Sequence, residues 1–333
     1  MTDAPLLEVR DLRVRFHTHR ATVHAVNGIS WSLGAGESLA LVGESGSGKS
    51  VGALALLGLV PPPGRITSGS IRLRGTELLD LDPAGWRRVR GREIAMVFQD
   101  PMTSLNPVLP VGRQITEVLR RHTDMDRAAA EAEAGRLLDR VGIPDATGRL
   151  RDHPHQFSGG QRQRIMIAMA LACRPAVLVA DEPTTALDVT VQAQIVRLVA
   201  ELRREMGMAV LWITHDLALA AEVVDRVAVM YGGAIVEDAP VRELFRNPRH
   251  PYTRGLLAAL PRLDDGEAEG ASRLASIEGR PPVLVREPAA CAFAPRCPWA
   301  TDLCRTEVPP LVPVQASPDV LHRAACWHQE ELP

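Results

Sequence analysis

The chain has 333 residues, long enough for two domains, and its 38 basic and 40 acidic residues nearly cancel to a net charge of −2. That balance excludes a global basic field for nucleic acid. The longest apolar runs, around 51–60 and 165–173, fall far short of the ~18–20 residues that span a bilayer, and no basic-then-apolar signal opens the sequence; a soluble cytoplasmic chain is expected, with any membrane role exerted through partners.

In chain order, Leu7–Phe16 and Val23–Leu33 alternate apolar and polar residues as strands do, and Gly34-Ala35-Gly36 supplies a turn. Then comes Gly43-Glu44-Ser45-Gly46-Ser47-Gly48-Lys49-Ser50, between the apolar run Ser38–Val42 and the helix-like Val51–Leu57. Strand, glycine-rich loop, helix is the context that G-x-x-x-x-G-K-[ST] requires. The glycines let successive backbone N–H groups of Gly43, Ser45, Gly46 and Gly48 approach phosphate oxygens, and the helix N-terminus adds partial positive charge. Lys49 would reach the β- and γ-phosphates and the Ser50 hydroxyl would ligate Mg²⁺. Lys49 is the only lysine; the other 37 basic residues (38 − 1) are arginine. A compact ammonium is thus kept where a planar fork serves less well.

Ser68–Leu73 and Ile94–Phe98 read as short strands, Val111–Val141 and Gln161–Cys173 as helical, and Ala176–Ala180 as a buried strand ending in Asp181-Glu182. The helix-like Val189–Met206 leads to the strand Ala209–Ile213, which ends at Thr214-His215-Asp216. A hairpin over Arg226–Val236 turns at Gly232-Gly233, and helical pieces then run to a linker around Asp264–Ala271 and a Pro- and Cys-rich tail. Strands alternating with helices predict an α/β core with a mostly parallel sheet and polar chemistry at its strand ends.

An acidic residue ending an apolar strand can hold Mg²⁺, the role expected of Asp181, and Glu182 is placed to take a proton from water attacking the γ-phosphate. Alone, an Asp-Glu pair reads as a solvated turn. It gains weight from Gln99, from His215 and from Ser158-Gly159-Gly160-Gln161, a second anion-directed helix start without a lysine. Two phosphate-directed surfaces in one chain suggest a dimer that sandwiches nucleotide between them.

Gly43–Ser50, Gln99, Ser158–Gln161, Asp181-Glu182, Ala186-Leu187-Asp188 and His215 resemble, in order and spacing, the six motifs of an ABC transporter ATP-binding subunit. The resemblance covers about residues 6–260. It implies an α/β P-loop NTPase fold: an ABC nucleotide-binding domain with a parallel sheet core, an antiparallel β subdomain and a helical subdomain, plus a Cys-rich extension. It also implies ATPase activity with Glu182 as general base, Gln99 sensing Mg²⁺ and water, His215 on the γ-phosphate and Asp188 acting across a dimer. Phe16 lies where the family stacks an aromatic on adenine, or is a core strand residue beside a long loop, 17–24. Phe157 replaces the leucine more usual before the signature. Domain limits are expected at 1–240, with the helical subdomain at 99–165, and 241–333.

Gln99–Pro107, His153–Gly160 and Asn247–Arg254 further resemble the dipeptide/oligopeptide/nickel importer branch. That implies a second, related ATPase chain, two transmembrane permeases, an extracytoplasmic peptide-binding protein, and a peripheral position at the cytoplasmic face of the membrane; no nucleic acid is involved. An importer of nickel rather than peptide, an exporter ATPase, and a soluble ABC ATPase acting on nucleic acid or ribosomes are the alternatives.

Cys173 stands alone in an apolar stretch and reads as a core residue. Cys291, Cys297, Cys304 and Cys326 fall in the tail segment 285–330, whose spacing lacks the C-x2–4-C pair common in zinc sites. Wide spacing and Pro298 after one thiol lean towards iron–sulfur, with zinc or unliganded thiols as alternatives. It also resembles the importer branch's C-terminal extension, which in some members carries a [4Fe–4S] cluster. His322 and His328 are substitute ligands or surface residues.

Overall fold

The computed structural model describes residues 4–100, 104–185, 187–260, 277–315 and 320–332. The expected linker at 264–271, residues 101–103 of the segment after Gln99, and Ala186 lie outside the described residues. The elements are β1 (Leu7–His17), β2 (Thr22–Leu33), β3 (Ser38–Val42), α1 (Lys49–Leu56), β4 (Gly64–Leu73), β5 (Thr76–Glu77), α2 (Pro83–Val89) and β6 (Ile94–Val97). Next are α3 (Val111–His122), α4 (Arg127–Arg140), α5 (Gly159–Leu171), β7 (Val177–Asp181), α6 (Val189–Met206), β8 (Ala209–Thr214), α7 (Leu217–Ala221), β9 (Arg226–Tyr231) and β10 (Ala234–Pro240). The last are α8 (Val241–Arg246), α9 (Pro251–Ala258), α10 (Asp302–Thr306), β11 (Val312–Pro313) and β12 (Arg323–Ala324).

Two compact units form from discontinuous pieces of chain. The first comprises residues 1–8, 32–38 and 72–213. In it β6, β7 and β8 pair in parallel, with Ile94 opposite Val177 and Val177 opposite Ala209. All five residues of β7 are buried, as a strand covered on both faces requires. Helix α5 packs on α3, α4, α6 and β6. The helical pattern over 111–141 is two helices rather than one. Thr123 is extended, and the Asp126 carboxylate accepts from the Ala129 N–H to start α4 anew. Asp82 with Pro83 starts α2 in the same manner, a cap legible in the sequence and overlooked there.

The second unit comprises 9–31, 39–71 and 214–333. Here β3 pairs in parallel with β9, placing Leu39 opposite Arg226 and Val42 opposite Val229. The hairpin β9–β10 is antiparallel, with an irregularity between Ile235 and Glu237. Strand β12 adds to β10, Glu237 opposite Ala324 and Asp238 opposite Arg323. Two buried carboxylates secure this addition: Asp238 pairs with Arg226 and Arg323, and Glu237 with His322. Tyr231, Tyr252 and Phe293 pack in tilted and edge-to-face pairs with centroids 4.7–5.5 Å apart, each pair contributing about 0.5–1.5 kcal/mol beyond burial. They join β9, α9 and the Cys-rich segment.

Candidate functional site

In the second unit the fully buried β3 delivers the chain into the loop 43–48, and α1 begins at Lys49. Two glycines are sterically required. A Cβ on Gly43 (φ +152°) would lie 2.2 Å from the Met230 carbonyl oxygen, and one on Gly48 (φ +99°) 2.3 Å from that of Ala25. The hairpin turn also fastens the loop: Gly233 N–H donates to Ser47 O (3.1 Å), while Asn27 N–H donates to Gly233 O (2.7 Å). Lys49 is only 4% exposed, and its Nζ donates to the carbonyls of Gly43 (2.8 Å) and Glu44 (3.0 Å). The ammonium therefore lies curled over its own loop, while Ser45 and Gly46 are exposed at the tip.

Glu44, unremarked in the sequence, is held on three sides. Its N–H donates to Tyr252 Oη (2.8 Å), and its carboxylate receives two bonds from Arg296 (2.6 and 3.0 Å). Phe16 is half-buried, and a Cβ on Gly64 would lie 2.6 Å from its ring. The connection read as a long loop is a short turn, 18–21, closed by Thr18 N–H donating to Ala21 O (3.1 Å). His215 is exposed, and Asp216 behind it caps α7 by accepting from Leu219 N–H (2.9 Å).

The first unit brings other predicted residues together. Asp181 ends β7 with 7% exposure. Glu182 follows in a left-handed conformation (φ +44°), and its N–H donates to Ile213 O (2.8 Å). Its Oε2 accepts from Gln99 Nε2 (3.0 Å) and from Thr185 Oγ1 (2.9 Å). Gln99 and Glu182, 83 residues apart, thus meet directly, and Thr185 is a partner the sequence reading missed. Ser158 and Gln161 form a reciprocal capping box at the start of α5. The N–H groups of Gly159 and Gly160 have no acceptor within the helix by construction. A Cβ on Gly160 would lie 2.8 Å from Val191, so this helix start abuts that of α6, which Asp188 caps through Val191 N–H (3.0 Å). Phe157 is buried beneath the Arg149 guanidinium, 4.0 Å from its centroid.

The four tail cysteines, in the second unit, line one small cavity together with Phe293, Trp299 and Trp327. All are free thiols. Burial raises the pKa of Cys291 and Cys297 and pushes that of Cys326 up to about 12, so ligation requires a displaced proton at each. Among the described residues no three His, Cys, Asp or Glu side chains are gathered closely enough to hold a metal ion. The described residues bring the four expected thiols to one cavity. His322 is neither a ligand nor a surface residue, being buried with Nε2 2.8 Å from Glu237 Oε1. His328 is half-buried and lines the thiol cavity, its Nε2 3.0 Å from Thr301 Oγ1. Cys173 is half-buried rather than a full core residue. Among the described residues no helix is long and apolar enough to cross a membrane.

A phosphate loop built on one strand, with an acid pair ending another and a capped Ser-Gly-Gly-Gln helix start, defines an ATP-binding cassette. Comparison agrees. The family described as "ABC transporter" matches residues 26–185. An ATP-binding cassette solved as a dimer in a post-hydrolysis state with ADP and Pi superposes with a TM-score of 0.63 at 26% identity, covering 71% of this chain and 99% of that one. More specifically, the oligopeptide/dipeptide transporter C-terminal region matches residues 236–304. The oligopeptide transport ATP-binding protein of Escherichia coli (strain K12) is 53% identical over 92% of this chain and 89% of its own. The dipeptide transport ATP-binding protein of Haemophilus influenzae is 49% identical over 92% of each. The chain belongs to the oligopeptide/dipeptide branch of the ABC transporter ATP-binding proteins.

Proposed function

We propose that this chain hydrolyses ATP to energise the import of di- or oligopeptides through partner permeases. The observation that carries the reading is likeness at about half identity over nearly the whole chain to proteins named for peptide transport. The oriented Glu182 carboxylate supports hydrolysis. In the unit bearing the phosphate loop, the N–H groups of Gly43, Ser45, Gly46 and Gly48 and the ammonium of Lys49 bind phosphate, Phe16 meets the base, and His215 contacts the γ-phosphate. In the other unit Glu182 accepts the proton of attacking water, Gln99 orients it, and Ser158–Gln161 with Asp188 serve nucleotide across a dimer. Hard oxygen donors, the Ser50 hydroxyl and the buried Asp181 carboxylate, suit Mg²⁺, which neutralises phosphate charge when bound.

The partners in this reading are a second, related ATPase chain, two transmembrane permeases and an extracytoplasmic peptide-binding protein. The chain itself sits peripherally on the cytoplasmic face. The four thiols belong to the same proposal. Support for it is that all four cysteines line one cavity, since a [4Fe–4S] cluster takes four cysteine ligands. Cys291, Cys297, Cys304 and Cys326 would hold it, and its contribution is structural.

The test is reconstitution of the chain with its permeases in vesicles. ATP-dependent peptide uptake is expected; uptake of nickel but not peptide overturns the substrate, and ATPase activity tied to nucleic acid or ribosomes overturns transport. Iron and sulfide analysis of anaerobically purified protein should give about four of each per chain. One zinc, or no metal, removes the cluster and leaves transport standing.

A further inference from the structure

The phosphate loop is anchored from an unexpected quarter. Arg296 ends a short 3₁₀ turn, Ala294–Arg296, directly before Cys297. Its side chain is 6% exposed, and all five of its N–H donors have acceptors. Nε reaches Glu278 O (2.8 Å); one terminal nitrogen reaches Glu44 Oε2 (2.6 Å) and Tyr231 Oη (3.3 Å). The other reaches Glu44 Oε1 (3.0 Å) and Ile277 O (3.0 Å). The guanidinium is therefore fixed in orientation before it meets the loop. Its pKa is raised further, chiefly by the Glu44 carboxylate.

Glu44 relays that order to Lys49. Its carboxylate is set by Arg296 and its N–H by the buried Tyr252 hydroxyl, while its carbonyl accepts from Lys49 Nζ. A shift of Glu44 thus moves the carbonyl against which the ammonium rests. Glu44 is itself outside the set of groups that hold phosphate, so its side chain is available for this second use.

We propose that Arg296 is a positioning residue for ATP: its two-pronged bond to Glu44 lets the Cys-rich segment hold the phosphate loop in the shape that binds nucleotide. A planar fork is needed, because a lysine cannot engage both carboxylate oxygens and the flanking carbonyls from one fixed plane. The inference rests on the ATPase reading, and the two fail separately: wild-type binding of ATP tests that reading, and the ratio between variants tests Arg296.

The experiment is equilibrium titration of the full-length chain with Mg-ATP, well below its melting temperature, for wild type, Arg296→Ala, Arg296→Lys, Glu44→Gln and the double variant Arg296→Ala/Glu44→Gln. If loss of the tie reduces the competent loop population tenfold, the apparent Kd rises about tenfold for Arg296→Ala. Arg296→Lys, which keeps charge and bulk and so guards against misfolding, should fall between that and wild type. The double variant should be no weaker than the worse single one, because both remove the same contact. An affinity within twofold of wild type for Arg296→Ala, even with a lowered melting temperature, reduces the residue to a structural prop and overturns the proposal. So does full additivity of the two single effects.

Discussion

Replacing Glu182 by glutamine separates binding from hydrolysis. The carboxylate oxygen Oε2 accepts from Gln99 Nε2 at 3.0 Å and Thr185 Oγ1 at 2.9 Å. A glutamine can put its carbonyl oxygen there and keep both bonds, with its amide nitrogen in the place of Oε1. Shape and neighbours are then conserved, while the basic lone pair is lost. A positioned general base is worth roughly 10²–10⁴ in rate, about 3–5.5 kcal/mol of barrier. Thr185→Ala removes only one exposed hydrogen bond to the same oxygen, about 1 kcal/mol, or roughly fivefold. The expected order of ATP turnover in the assembled complex is therefore wild type, Thr185→Ala, then Glu182→Gln far below, with ATP affinity alike in all three. Turnover of Glu182→Gln within fivefold of wild type would refute the general-base assignment. A large loss of affinity would refute the argument that the glutamine is accommodated.

Two further expectations concern stability. Burial lowers the pKa of His250 from 6.5 to about 3, so the native ring stays neutral while the unfolded chain takes up a proton below pH 6.5. More protons on the unfolded state mean that stability falls as pH drops from about 6.5 towards 3, by at most about 1.4 kcal/mol per pH unit. Denaturant midpoints between pH 7 and 5 should fall less steeply for His250→Asn than for wild type, and parallel lines would contradict the assignment. Asp238→Ala removes the buried carboxylate that pairs with the Arg226 and Arg323 guanidiniums. A loss of about 3–5 kcal/mol is expected in chemical denaturation, and a loss under 1 kcal/mol would show that the arginines find water or another partner.

Much of the phosphate loop and its strands was legible because the signal is local. Ser38–Val42 and Val189–Met206 read from their apolar patterns match β3 and α6 in full. The glycine-rich motif fixes where the backbone must turn, and the structure supplies the reason in the carbonyls of Met230 and Ala25. What could not be read is non-local. Arg296 and Glu44 are 252 residues apart, and nothing in either neighbourhood encodes the other. His322 looked like a free histidine near a thiol, since the buried acid that claims it stands 85 residues earlier. The two compact units are likewise built from interleaved pieces of chain, a pairing of distant segments that no local pattern carries.

The addition of β12 to β10 has a consequence for biosynthesis. Glu237 and Asp238 emerge early, yet their partners His322 and Arg323 follow 85 residues later. At about 5–20 residues per second that is a delay of roughly 4–17 s. During it the hairpin beside the phosphate-loop strand carries an unpaired edge, with Asp238 paired to Arg226 but not yet to Arg323 and Glu237 still without His322. A nascent chain is therefore most exposed to proteases and to stray strand pairing in that interval, after its ATP-binding motifs have all been made. Translational pausing between residues 238 and 322 would lengthen the exposure.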